Sequence, residues 1–353
     1  MIVQATRRMD FWDDPTTRRP VCFDWRKGGI ADVSVEVAER AILAGAAEAL
    51  TPQMIAERGS LLVKRSRAAG DLLLLTPLLA ALKAAAPGME IDVLCRTEYA
   101  PVLAGNPALR RVYRQPGEAP DFRGYGLVAD FDGWPERQPG GRGENRAQLC
   151  ADYFGLKLER TRPYVYLSVA ERESARGSLR PAKGKLVGIF LEAEWPSRTW
   201  AGMKETAALF SQAGYATLVF GQGHNRAEDW RQLLAMIAAC DLIVTPDSGP
   251  LHAATGLGIP TVAVFLSTDP AALVGADCDV TALRGESCEP CWRARCQEGE
   301  AACSLEVTPA QVFAAGQKRL ARVSSGGQEP DLLISEGQRL AVGPKRARRG
   351  AKQ

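Results

Sequence analysis

"DLIVTPDSGPLHAATGLGIPTVAVF", Asp241 to Phe265, sets an apolar strand, a tight turn of small residues, a helix and a second apolar strand in a row. Strand, helix, strand with apolar strands is the unit of a parallel sheet covered on both faces. No side chain in "PDSGP" is large enough to pack a core. In open α/β sheets ligands bind outside the carboxyl ends of the strands, where this turn sits. Gly249 lets a ligand approach the backbone, and Pro250 suits the start of a helix, where its missing N–H costs nothing. The amides of Ser248, Gly249 and Leu251 are then expected free at a positive helix end, a seat for an anion, with the Ser248 hydroxyl beside them. His252 stands one turn in, either against that ligand or packed in the helix. A plain strand-to-helix turn without a ligand is the competing reading.

The same alternation continues outward. "KLVGIFLEA" and "YATLVFGQG" read as strands, with helices over "WAGMKETAALFSQAG" and "AEDWRQLLAMIAAC". Earlier, "SLLVKRS", "EIDVLC" and "GYGLVADFDG" read as strands, with helices from "RAAGDLL" to about Ala86 and over "NRAQLCADYFGL". A polar helix and a Pro/Gly linker in "SVAERESARGSLRPAKGK" separate two α/β halves, 56–182 and 183–322. A closing helix over "TPAQVFAAGQKRLARV" takes Thr308 as its cap and Pro309 as its first residue. Residues 1–55 read as an extension in which "PVCFDWR" and "ADVSVEVAE" form a hairpin over "KGG", and 323–353 as a tail.

Of the 353 residues 46% are hydrophobic and 24% charged, the balance of a soluble globular protein. Net charge is +3, but the last twelve residues, "VGPKRARRGAKQ", carry five basic groups and no acid, which leaves 3 − 5 = −2 for the remainder. Bulk charge therefore argues against nucleic acid as a partner. The tail reads as a solvated end, with contact to a membrane surface or nucleic acid as the sharper alternative. The start has no signal-peptide core, and the longest apolar run, Leu72 to Leu82, is about half a membrane span. These features point to the cytoplasm, where nine cysteines do not form a disulfide framework.

A second signal is "KRSRAAGDLLLLTPLLAALKAAAP", Lys64 to Pro87. Gly70 and Asp71 follow the first strand of the other half, so Asp71 stands at a helix start, where the dipole favours an anion. Facing the cleft, it would serve as general base toward a hydroxyl; as a plain first-turn carboxylate it would do nothing more. Lys64, Arg65 and Arg67 either meet an anionic acceptor or lie on the surface. "DFD" at Asp130–Asp132 reads as a strand-end turn, with acceptor contact as the alternative. Cys288, Cys291, Cys296 and Cys303, spaced C-x2-C-x4-C-x6-C, would wrap one zinc or iron tetrahedrally, or remain thiols that pair on oxidation. Their loop is expected away from the Asp71 side of the cleft, which makes a metal there structural.

Taken together, "RAAGDLLLLTPLLAALKAAAPGMEIDVLC", "AACDLIVTPDSGPLHAATGLGIPTVAVFLSTDP" and "CEPCWRARCQEGEAACSLEVTPAQV" resemble glycosyltransferase family nine, the heptosyltransferases of lipopolysaccharide core assembly, over residues 60–320. The resemblance implies two Rossmann-like domains facing a cleft, the glycosyltransferase-B architecture. It implies an inverting transfer from a nucleotide sugar, typically ADP-heptose, to a glycolipid acceptor, with no metal or other cofactor in catalysis and peripheral contact with the inner membrane. The family's base falls on Asp71. Its donor-phosphate turn falls on Asp247, Ser248 and Gly249, continuing to Leu251 and His252, and its basic residue on Arg198 of "PSRTW". Gly221, Gly223 and His224 of "GQGHN" fall on the nucleotide side; Lys64, Arg67 and Gly70 on the acceptor side. Trp195 and Trp200 flank Arg198, for packing or for stacking on sugar. A few relatives that glycosylate bacterial autotransporter proteins carry a cysteine-held iron and an N-terminal extension, which keeps a protein acceptor open. One departure stands out: about twenty residues separate "LVFGQG" from "AACDL", where the family has a further strand and helix. That shortening leaves a non-catalytic nucleotide-sugar-binding relative as the rival reading.

Overall fold

Apolar runs of five to seven residues, too short for helices and bounded by Gly, Pro and polar turns, become buried strands. The structure, a computed structural model, describes five short strands before residue 50 and residues 51–138, 142–297 and 302–324. The early strands are β1 (Ile2–Ala5), β2 (Asp10–Asp14), β3 (Arg19–Phe23), β4 (Ile30–Asp32) and β5 (Ala47–Ala49). They pair antiparallel in two small sheets, β4-β1-β5 and β2-β3. The expected hairpin over "KGG" is therefore corrected: β3 pairs with β2, and β4 with β1. The basic end of the tail lies outside the described residues.

The amino-terminal half continues with α1 (Pro52–Ala56), β6 (Ser60–Lys64), α2 (Ala69–Ala85), β7 (Glu90–Arg96), β8 (Arg111–Gln115), β9 (Leu127–Asp130), α3 (Trp134–Arg137), α4 (Arg146–Asp152) and α5 (Val169–Leu179). Its sheet runs β8-β7-β6-β9, all parallel. The carboxy-terminal half holds β10 (Leu186–Phe190), α6 (Met203–Gln212), β11 (Ala216–Phe220), α7 (Trp230–Ala239), β12 (Leu242–Pro246), α8 (Gly249–Gly256), β13 (Thr261–Phe265), α9 (Pro270–Leu273), β14 (Val280–Arg284), α10 (Ala302–Leu305) and α11 (Pro309–Ser324). Its sheet, β11-β10-β12-β13-β14, is parallel throughout. These are two Rossmann-like units of the glycosyltransferase-B type. Among the described residues no helix is long and apolar enough to cross a membrane.

Strand order fixes where a ligand belongs. It reverses between β6 and β9 in the first sheet and between β10 and β12 in the second, and the crevice at such a reversal is the binding place. Asp71 follows β6; Arg198 follows β10; Asp247, Ser248 and Gly249 follow β12.

Helix α2 joins the halves. It is apolar around its circumference because it is covered on every side: Leu72, Leu73, Leu75, Leu78, Leu79 and Leu82 are buried, and it packs against α4 of its own half and α8 of the opposite half. Pro77 removes the amide that would bond Leu73 O, and the Thr76 hydroxyl donates to that oxygen instead at 2.6 Å. The Tyr164 amide then donates to Thr76 Oγ1 at 2.7 Å. Helix α5, started by a Ser168–Glu171 capping box, packs on α7 of the carboxy-terminal half. Arg231 of α7 ties the crossing together, donating to both oxygens of Glu171 and to the carbonyls of Tyr166 and Ala104.

Candidate active site

The helix starts at the two crevices are short of caps. Asn145, Ser168, Asp229 and Asp269 cap α4, α5, α7 and α9 with their side chains. Ala68 before α2 and Ser248 before α8 provide no side-chain cap. The Ser248 hydroxyl is engaged elsewhere, 3.1 Å from Thr245 Oγ1 and 3.2 Å from Pro246 O. The amides of Ser248 and Gly249 have no partner among the described residues. Leu251 differs from expectation: its amide donates to Ser248 O at 3.0 Å, because the first turn of α8 tightens.

These two starts meet. A Cβ on Gly249 would lie 3.6 Å from the Gly70 amide nitrogen, and one on Gly70 would lie 3.4 Å from Gly249 Cα. Neither position has room for a side chain: a Cβ on Gly70 would meet His252 Cδ2 at 2.9 Å, and one on Gly249 would meet Trp230 Cη2 at 2.6 Å. The positive ends of α2 and α8 thus share one place, and Asp71 in the first turn of α2 borders it.

Asp71 is held by arginines on both oxygens. Arg65 Nη2 lies 2.7 Å from Oδ2, and Arg146 Nη1 lies 3.9 Å from Oδ1. Arg65, 2% exposed, also bonds Glu136 at 2.7 Å and donates to Phe131 O. Glu136 accepts from Arg146 at 2.8 Å. Burial pushes the Glu136 carboxyl up, but Arg65 and Arg146 outweigh it and hold the group below its ordinary range. Arg65, Asp71, Glu136 and Arg146 form one alternating network of charge.

In the carboxy-terminal half, Arg198 Nη1 lies 3.3 Å from Asp247 Oδ2, and the Thr268 hydroxyl donates to the same oxygen at 2.7 Å. Asp247 is 1% exposed, and its buried carboxylate holds Arg198. The guanidinium lies over Trp195, 3.8 Å from the ring centroid, and its buried Nε has no partner. Trp195 is thus a shelf for Arg198, whereas Trp200 is core, its indole donating to Ser304 O at 3.0 Å. His252 is 5% exposed and abuts Gly70. Burial lowers its pKa, against the pull of Asp247 and Asp71; both carboxylates and both Arg198 and Arg146 act on this one ring.

A cavity of about 550 Å³ adjoins, lined by Thr97 and Glu98 of one half and Phe190, Phe220, Asn225 and Trp230 of the other. The rings of Phe190 and Phe220 stack at 4.3 Å at the ends of β10 and β11. The loop after β11 runs straight into α7 and forms one wall. Gly221 and His224 close a tight turn in it through a bridge, with Gly223 at its bend. His224 is exposed and does not line the cavity; Asn225 and Arg226 do.

Other expected residues lie apart. Lys64 is paired with Asp130 at 2.8 Å and Asp132 at 3.4 Å, and Arg67 is exposed, so neither basic group enters the Asp71 network. "DFD" closes the end of β9: Asp132 accepts from the Ser66 amide and hydroxyl, each at 2.6 Å. Cys288 is within hydrogen-bonding reach of Cys303, with Cys296 and Cys291 near enough to act on it. Burial first, and these neighbours after it, push the Cys303 thiol up to about 11. Among the described residues no group of three or more Cys, His, Asp or Glu is arranged to hold a metal ion. The donor set suits zinc or iron in kind, while its spacing is not that of a formed site.

The loop's expected distance from Asp71 is corrected. Trp292, next to Cys291, lies against Arg146, with the guanidinium 5.0 Å from its ring centroid. Sequence reasoning missed Arg146, Glu136, Thr268 and Trp292. Arg146 did carry a signal: a cation at the first position of a helix opposes the dipole unless carboxylates hold it there.

Residues 229–302 match the model of glycosyltransferase family 9 (heptosyltransferase). Over that segment the chain resembles the heptosyltransferases of this family. No curated protein matches it by sequence. Solved structures share its fold. The E. coli ADP-heptose lps heptosyltransferase II aligns at TM-score 0.60 and 17% identity, over 75% of this chain and 99% of that one. The family 9 glycosyl transferase from Veillonella parvula DSM 2008 gives the same TM-score, 0.60, at 17% identity, over 75% of this chain and 98% of that one. The iron-containing dodecameric glycosyltransferase TibC from enterotoxigenic E. coli H10407 aligns at TM-score 0.63 and 14% identity, over 93% of this chain and 94% of that one.

Proposed function

We propose that this chain is an inverting heptosyltransferase that moves a heptose from ADP-heptose, or a closely similar nucleotide sugar, to a hydroxyl of a lipopolysaccharide-core acceptor. The observation that carries it is the meeting of Gly70 and Gly249, which sets Asp71 beside the anion seat of α8. Asp71 takes the proton of the acceptor hydroxyl as its oxygen attacks the anomeric carbon. The bond from that carbon to the diphosphate breaks on the opposite face, which inverts the centre. The leaving diphosphate gathers negative charge, which Arg198 and the amides of Ser248 and Gly249 stabilise. Asp247 holds Arg198 for that role, His252 spaces the two helix starts, and the cavity beside Phe190 and Phe220 receives the nucleoside. One solved relative is described with ADP and another with ADP-D-beta-D-heptose, which supports this donor class.

A protein acceptor is the second reading, favoured by the alignment with TibC over 93% of this chain. The four cysteines are of the kind that holds a structural zinc or iron but are not arranged around one, so a metal there would have to draw them together; we place the protein in the cytoplasm, at the inner face of the membrane when its acceptor is lipid. Release of ADP from ADP-heptose, measured with lipid-core and with protein acceptors in parallel, tests the transfer and separates the two. Binding of ADP-heptose with no turnover on either acceptor would overturn the enzymatic reading. Metal content per chain, before and after replacement of Cys288 and Cys303 by Ser, tests the cysteine site.

A further inference from the structure

We propose that Arg146 and Trp292 form a clasp across the cleft that positions Asp71; this rests on Asp71 being the base of the proposed transfer. Arg146 comes from α4 of the amino-terminal half, is 8% exposed, and its buried Nε has no hydrogen-bond partner. Its Nη1 reaches Glu136 at 2.8 Å and Asp71 Oδ1 at 3.9 Å, so it leans between two carboxylates. What fixes the lean comes from the opposite half. The indole of Trp292 covers the guanidinium, and a cation over an indole face is attracted and shielded from water there.

Trp292 is itself held in place. Its backbone has φ +54°, a left-handed conformation that a bulky residue adopts only when its surroundings impose it. Its amide donates to Ser267 O at 2.7 Å. Its side chain packs on the cluster of Leu74, Leu251, Ala263, Phe265, Ala272 and Leu273, to which α2 contributes Leu74, one turn after Asp71. Helix α9 also packs on α4. Thus the clasp exists only when the halves are together, and Asp71 is gripped on both oxygens only when the clasp exists. Without the indole, Arg146 is free to turn wholly to Glu136, leaving Asp71 to Arg65 alone.

The test compares Trp292→Leu, which keeps an apolar side chain against the cluster, with Trp292→Phe, which keeps an aromatic face over Arg146. Trp292→Leu should lower kcat about tenfold to a hundredfold, the scale of a misplaced catalytic group, with donor KM within about twofold. Trp292→Phe should recover most of that loss. Equal kcat for the two variants means simple packing and overturns the clasp. A second measurement needs no turnover: a double-mutant cycle of Arg146→Met and Trp292→Leu on urea unfolding midpoints. Non-additive shifts support the clasp, and additive shifts overturn it. A wild-type chain that transfers nothing sinks the heptosyltransferase reading, while the cycle still decides whether the two side chains are coupled.

Discussion

Gly70 and His252 touch across the cleft so closely that a methyl group on Gly70 would stand 2.9 Å from His252 Cδ2. His252 is buried at 5% exposure, so its ring has little room to swing aside. Gly70→Ala should therefore cost about 1–3 kcal/mol of stability and part the halves at the site where Asp71 works. Urea unfolding reads the first effect and turnover the second. An alanine variant as stable and active as the parent would show that the closed approach is not the working form.

Asp71→Asn keeps the shape of the side chain and removes the proton acceptor. The expected loss in kcat is about 10²–10⁴-fold, the usual contribution of a general base, with donor KM nearly unchanged. Steady-state kinetics with ADP-heptose decides it, and a variant with full kcat would remove Asp71 from the chemistry.

Arg198→Gln should lower kcat by about 10²–10³-fold, comparable to loss of one donor to a developing anion. It also strands Asp247, which is 1% exposed and keeps only the Thr268 hydroxyl, so the variant should unfold more readily. Adding Asp247→Asn should restore the unfolding midpoint without restoring turnover. Recovery of both would mean that Arg198 is structural.

His252 gives a pH signature. Its ordinary pKa of 6.5 applies to the unfolded chain, and burial lowers it in the fold. The unfolded state then binds the proton more readily. Stability from this residue is complete above about pH 6.5 and is lost as pH falls from there through the lower, folded value. Replacing His252 with Gln should flatten the stability–pH curve below about pH 6.5, read as urea midpoints over a pH series. An unchanged slope would show that His252 takes its proton without leaving the core.

Much of this was readable from the chain. The apolar runs at 60–64, 90–96, 186–190, 242–246 and 261–265 are strands because parallel sheets bury both faces, and such runs need no alternation to be recognised. Thr308 caps the last helix as expected, its hydroxyl accepting from the Gln311 amide at 3.3 Å. Strand β14 escaped notice because its residues are half-exposed and its Thr and Ala carry little pattern. Asp71 and the 247–249 turn were visible because local spacing announces a helix start after a strand, and Arg198 only through the family resemblance. Glu136, Arg146 and Trp292 were not, since they reach the site from three separate segments and only packing brings them together. The stretch after β11 that reads as short still walls a cavity, through the loop at 221–229 and α7.

Neither α2 nor α8 blunts its own leading end, and the two ends are parked nose to nose. Like poles at that separation push against each other, with Asp71 alone to calm them. In the proposed transfer an arriving diphosphate would be a rivet as well as a reagent, because its charge would turn mutual repulsion into common attraction. Departure of the spent nucleotide would withdraw the rivet and leave the two ends to repel again.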